Sequence, residues 1–122
     1  MASTSSTSGN AINALMFDPG PSVYYTDGFR QVLEDHMTYL RQHQSTQLMS
    51  VSPQAAWEND QDLFGFLQVV NLQPQFHWVT MRMNNFSSPT EFGTGVTRLL
   101  IPSSVVLEQL RSAYMTSNVL TS

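Results

Sequence analysis

Apolar positions follow a helical period from Thr26 to Gln44. Phe29, Val32, Leu33, His36, Met37 and Leu40 fall at i, i+3, i+4, i+7, i+8 and i+11, which is one face of a helix. Thr26 or Asp27 can cap its start. The pattern then shortens: QLMSVS (Gln47–Ser52) reads as a short strand bounded by Pro53. DQDLFGFLQVV (Asp60–Val70) returns to helical spacing, with Asp60 at its start and Leu63, Phe66, Leu67 and Val70 inward. QPQFHWVTMRMNN (Gln73–Asn85) predicts a further helix. Pro74 suits its first turn, Phe76, Val79 and Met83 form one stripe, and Asn84–Asn85 can end it in left-handed geometry. VTRLLIP (Val96–Pro102) is a second strand stopped by proline. Ser103 or Ser104 then caps a last helix with Val106, Leu107, Leu110, Ala113 and Tyr114 on its apolar side.

The stretch from Gln47 to Pro102 thus reads strand, helix, helix, strand. The two strands would pair antiparallel, with Ile101–Pro102 ending the second at the sheet edge, where proline is tolerated. The expected fold is α+β: a βααβ core over 47–102, a flanking helix over 29–46, a C-terminal helix and tail over 103–122, and an N-terminal arm over 1–28. Met1–Asn10 is a Ser/Thr tract with almost nothing to bury, so disorder is expected there. INALMFDPGPSVYY (Ile12–Tyr25) is apolar and aromatic, yet Pro19, Gly20 and Pro21 rule out a helix through that point. It is expected to lie across another chain.

Composition narrows the function. The chain has 122 residues, a net charge of −4 and only 11% charged residues, against roughly a quarter for a soluble domain. Nucleic acid is not favoured, because neutralising phosphates takes a surplus of basic side chains. A charge-poor surface fits one covered by partners. There are no cysteines, which excludes disulfides and thiolate chemistry. The start lacks the basic and apolar regions of a signal peptide, and no stretch approaches the roughly 18 apolar residues of a membrane span. No membrane role is expected.

Several of these segments resemble the LysM fold. SVSPQAAWENDQDLFGFLQVV is similar to its first strand and Asp-capped first helix, FHWVTMRMNNF to its second helix ending at Asn, and FGTGVTRLLIP to its Gly turn and last strand. FHWVTMRMNN also resembles the aromatic second helix of LysM-containing baseplate proteins of contractile-tailed phages. Those proteins tend to carry a preceding helix, as FRQVLEDHMTYLRQ would be here. The resemblance spans about half of the chain. It implies a virion protein, assembled in the host cytoplasm, that joins wedge or sheath components to the tail hub and tube in six copies. An alternative is a module that binds peptidoglycan or chitin through a groove rimmed by Trp57 and by backbone near Asp60 and Asn84. The loop Glu58-Asn59-Asp60 departs from the Gly-Asp that sugar-binding members carry after the first strand. A small tail or neck protein of another fold is a third possibility.

Chemistry offers little. His36 and His43 are two helical turns apart, about 10 Å, with Tyr39 and Leu40 between them, and His77 lies on another helix. No metal site is expected. No nucleophile elbow or catalytic triad context occurs, and Asp60, Asp62 and Glu91 read as caps rather than as a glycosidase pair. Gly93 and Gly95 form a turn, since a nucleotide loop needs a third glycine and a following helix. The chain is read as non-enzymatic and without cofactor. Large apolar groups exceed what so small a core can bury, so Phe17, Tyr24, Tyr25, Trp57, Phe64, Trp78 and Met81 are the candidate partner-interface residues.

Overall fold

A computed structural model of the chain describes residues 20–121, and the side chains of 22–116. Phe17 and most of the N-terminal arm lie outside the described residues. The order is a 3-10 turn (Gly20–Tyr25), helix α1 (Asp27–Asp35), α2 (Met37–Gln42), strand β1 (Gln47–Ser50), α3 (Pro53–Glu58), α4 (Leu63–Val69), a 3-10 turn (Pro74–Phe76), α5 (His77–Met83), a 3-10 turn (Pro89–Glu91), β2 (Arg98–Ile101) and α6 (Ser104–Thr121). The class is α+β. β1 and β2 pair antiparallel with Gln47 opposite Ile101 and Ser50 opposite Arg98.

The helix expected from Thr26 is two helices. Thr26 does cap it, accepting from Phe29 N. At His36 the backbone amide is shared between Val32 O and Leu33 O, each at 3.1 Å, and the ring Nδ1 reaches back to Val32 O at 2.8 Å. That doubled demand on one carbonyl tightens the turn and ends α1. His36 consequently faces solvent, while Phe29, Leu33, Met37 and Leu40 hold the buried face.

Between the strands stand three α-helices, where the sequence pattern suggested two. The extra one, α3, starts where Pro53 had been read only as a strand stop. Ser52 accepts from Ala55 N at 3.1 Å and Pro53 takes the first helical position, where a missing N–H costs nothing. The next helix is capped by Asp62, which accepts from Gly65 N at 3.0 Å, and not by Asp60. A Cβ on Gly65 would come within 2.2 Å of the Asp62 carboxylate, so glycine is what lets that cap close.

α4 and α5 end alike. Asn71 (φ 67°) and Asn85 (φ 64°) take left-handed backbone, and the next amide in each case reaches back five residues: Leu72 N to Leu67 O at 2.9 Å, Phe86 N to Met81 O at 3.1 Å. This is the Schellman arrangement, for which asparagine is the best substitute for glycine. Val70, expected inward, is the C-cap of α4 and is exposed. On α6, Val106 and Leu107 are buried, but Ala113 is exposed.

α5 is covered from two sides. Phe76, Val79 and Met83 join Val23, Tyr24, Phe29, Leu33, Met37, Leu40, Val106 and Leu107 in one apolar cluster. Met81 joins Val51, Ala56, Leu63, Phe66, Leu67, Phe92 and Leu99 in the other. Thr80, fully buried between them, donates its hydroxyl proton to Phe76 O at 2.7 Å.

The end of α5 fixes the sheet. Val51 N donates to Thr97 O at 2.8 Å, so ladder bonds fall on alternate residues and Leu100 turns its backbone away from β1. The Asn84 carboxamide meets it there. Oδ1 accepts from Leu100 N at 2.7 Å, and Nδ2 donates to Leu100 O at 3.0 Å and to Thr80 O at 2.7 Å. Arg41 of α2 closes the same helix end, donating to Met83 O (2.9 Å), Arg82 O (3.0 Å) and Asn85 Oδ1 (2.8 Å). A guanidinium is well matched to the bare carbonyls and negative pole of a helix C-terminus.

Asn84→Ala removes three hydrogen bonds and leaves half-buried backbone groups without protein partners, so it should cost about 2–3 kcal/mol. Asn84→Asp should cost at least as much at neutral pH, because a carboxylate would face two carbonyl oxygens. Urea unfolding measures both; losses below about 1 kcal/mol would show that the clasp is dispensable.

Candidate interaction surface

Tyr24 is part of the core and not of a free arm. Its ring meets Phe29 and Phe76 edge-on, at 5.2 and 5.3 Å between centroids, and its hydroxyl donates to the Glu108 carboxylate. Glu108 in turn pairs with Arg111 at 2.8 Å. Pro21 did not prevent local order at Gly20–Tyr25: a 3-10 turn asks for no long ladder, and it packs on this chain's own α1 and α6. Val23 and Tyr24 therefore do not lie across a neighbour.

The other candidates divide by exposure. Met81, expected near the surface, is 4% exposed, because the second cluster claims the side of α5 opposite Val79. Phe64 is half-buried with its ring 5.6 Å from that of His77, whose Nε2 lies 2.8 Å from Leu72 O. Trp78 is half-buried and touches both clusters. The Arg30 guanidinium sits 4.9 Å over the Trp78 ring and 6.0 Å from that of Tyr25, while its Nε donates to Tyr24 O. Tyr25 (55%) and Trp57 (68%) are the candidates whose side chains stand open.

Sequence periodicity missed further exposed groups. Leu48, Tyr39, Val69 and Val105 all stand out from the surface. Val69 occupies the outward side of a short helix, and Leu48 the sheet face opposite Leu99; alternation within QLMSVS was the available signal. These side chains are spread over α2, β1, α4 and α6. They make a perimeter, not one pocket.

Polar groups once weighed for chemistry have structural partners. Asp62 caps α4, and Glu91 accepts from Ser87 N and Ser88 N at 2.7 and 2.9 Å in a capping box. His43 Nδ1 accepts from Ser45 N at 3.0 Å, and the His36 and His43 rings flank Tyr39 at 6.3 and 5.4 Å. Among the described residues no group of three or more His, Cys, Asp or Glu could hold a metal ion. Gly93 and Gly95 form a turn closed by Val96 N to Gly93 O at 3.0 Å.

No protein-family model, curated protein or solved structure matches the chain.

Burial, and then the Glu108 carboxylate, push the Tyr24 hydroxyl well above the ordinary phenol range. A raised folded-state pKa gives stability that is fully present below the unfolded value, about 10, and is lost as pH rises above it. Stability of the wild type should therefore fall through the alkaline range more steeply than that of Tyr24→Phe, measured by urea unfolding at a series of pH values. Equal slopes would show that Tyr24 ionises freely in the fold.

Trp57→Ala should change stability by no more than about 0.5 kcal/mol, whereas Met81→Ala should cost about 2–4 kcal/mol. Both are read by chemical denaturation. A large loss at Trp57 would mean that its ring is not available to a partner.

Proposed function

We propose that the chain is a non-enzymatic structural subunit of a contractile phage tail. It would sit in the baseplate and join wedge or sheath components to the central hub or tube. The observation that carries this reading is the Asn84 clasp on Leu100. It lies where the resemblance to LysM-containing baseplate proteins puts the terminal Asn of the second helix, between two strands of the expected spacing. The flanking helices also suit a wedge. Arg41 on the end of α5, Glu34 with Arg82 at 2.6 Å, and Tyr24 with Glu108 tie α1, α2 and α6 to the core as one body.

Such a body acts by presenting fixed apolar groups. Tyr25, Trp57, Val69 and Val105 are exposed, and covering them on assembly is the driving force. A glycan-binding module is the weaker reading. The loop Glu58-Asn59-Asp60 departs from the Gly-Asp that sugar-binding LysM members carry after the first strand.

The proposal is tested on purified particles of the virus that encodes the chain. Quantitative mass spectrometry should find it at six copies per tail, and labelled antibody should mark the baseplate end. Particles that lack the chain, or that carry it in the head, would sink the proposal. Saturable binding of N-acetylglucosamine oligomers to the purified chain would move the choice to the glycan reading.

A further inference from the structure

The two edges of the sheet are treated differently. On β2 the outward backbone of Leu100 is closed by Asn84. On β1 the same alternation turns the N–H and C=O of Leu48 and Ser50 outward, and they have no partner among the described residues. Gln47, Leu48 and Ser50 are exposed, Leu48 by 56%. Edge strands are usually guarded by lysine, proline, a bulge or a cover. From Gln42 to Ser52 there is no charged residue and no proline.

A charge stands beside that edge. All five basic residues of the chain are arginines. Arg30 lies on Trp78 and Tyr24 O, Arg41 closes α5, Arg82 pairs with Glu34, and Arg111 pairs with Glu108. Arg98 is exposed and has no hydrogen bond or ion pair among the described residues. It is opposite Ser50 and therefore on the same sheet face as Leu48.

We propose that the outer edge of β1 docks an extended segment of a partner protein, added antiparallel as a third strand, with an acidic residue opposite Ser50 and an apolar residue two positions later opposite Leu48. The backbone groups of Leu48 and Ser50 recur every second residue, a spacing that another polypeptide backbone matches. An apolar side chain beside Leu48 covers it, as cross-strand neighbours do. Ser50 is small enough to leave a path over its hydroxymethyl group, so Arg98 can reach a carboxylate on the added strand.

Charge selects a foreign strand. A second copy's β1 carries no charge and would leave Arg98 as it is. A four-residue edge is also far short of the about 1,200 Å² that a stable dimer buries. The chain's own apolar arm, Ile12–Tyr25, has one acidic residue, Asp18, but Pro19 follows it and Gly20 stands two positions later, where an apolar side chain is needed. This docking is independent of the tail-subunit reading.

The test is a titration of the full isotope-labelled chain with the capped peptide acetyl-Thr-Val-Glu-Val-Leu-Val-Thr-amide, followed by amide NMR. The expected result is saturable shifts centred on Leu48 and Ser50. Replacing the peptide's Glu by Gln, or Arg98→Gln in the chain, should weaken binding about twofold to fivefold, as befits an exposed ion pair. Ser50→Pro deletes one outward N–H at an edge position that tolerates proline, and should abolish the shifts while leaving far-ultraviolet circular dichroism unchanged. Leu48→Lys serves in its place if that variant does not fold. Shifts that map elsewhere, no binding up to the solubility of the peptide, or equal binding by the Gln peptide would overturn the proposal.

Discussion

Everything in this fold meets at the C-terminal end of α5. A helix end leaves its last carbonyls without intrahelical partners, and one that is wrapped by two apolar clusters cannot give all of them to water. Three devices satisfy that end here. The Asn85 backbone turns left-handed so that Phe86 N can reach Met81 O. The Arg41 guanidinium covers Arg82 O and Met83 O, and the Asn84 carboxamide takes Thr80 O while also reaching Leu100. Only one orientation of that amide serves, since Leu100 N needs an acceptor and the two carbonyls need donors.

Sheet and helices depend on each other through this point. A two-stranded sheet is marginal alone in water. Here the Asn84 side chain acts as a short third strand on β2, while Leu99 anchors β2 in one apolar cluster and Leu100 packs against the other. The added helices are bound in as tightly. Arg41 and Glu34 come from α2 and α1, and both act on the last turn of α5 or on Arg82 within it. α1 and α2 are therefore part of the folded unit, not an attachment to it.

Legibility in the sequence followed the range of each cause. Where a local cause sufficed, the reading held: Pro74 opens the turn into α5, Asn85 ends that helix in left-handed backbone, and both strands fall where alternation and proline placed them. It failed where one residue had two readings. Pro53 stops a strand and equally starts α3, and Ser52 before it was the signal that decides. Asp60 and Asp62 are both fit to cap, and the choice is made by Gly65, which alone leaves room for the Asp62 carboxylate. Met81 lies off the stripe of Phe76, Val79 and Met83, and Tyr24 lies in the arm, so periodicity points both outward, whereas their burial comes from residues far along the chain: Leu99 and Phe92 share the Met81 cluster, and Glu108 receives the Tyr24 hydroxyl. For the surface, composition told more than pattern, because scarcity of charge carries no period.

That scarcity has a structural consequence. Four of the five arginines make contacts inside the chain, so the charge on the described surface is mostly that of exposed carboxylates such as Asp27, Asp35, Glu58 and Asp60, set among amides, hydroxyls and scattered apolar groups. With a net charge of −4 and 11% charged residues, the field is of one sign but rests on few charges. Beside the open edge of β1, Arg98 is exposed and has no hydrogen bond or ion pair among the described residues. Backbone pairing supplies direction, Leu48 supplies buried area, and Arg98 discriminates between strands that would otherwise bind alike.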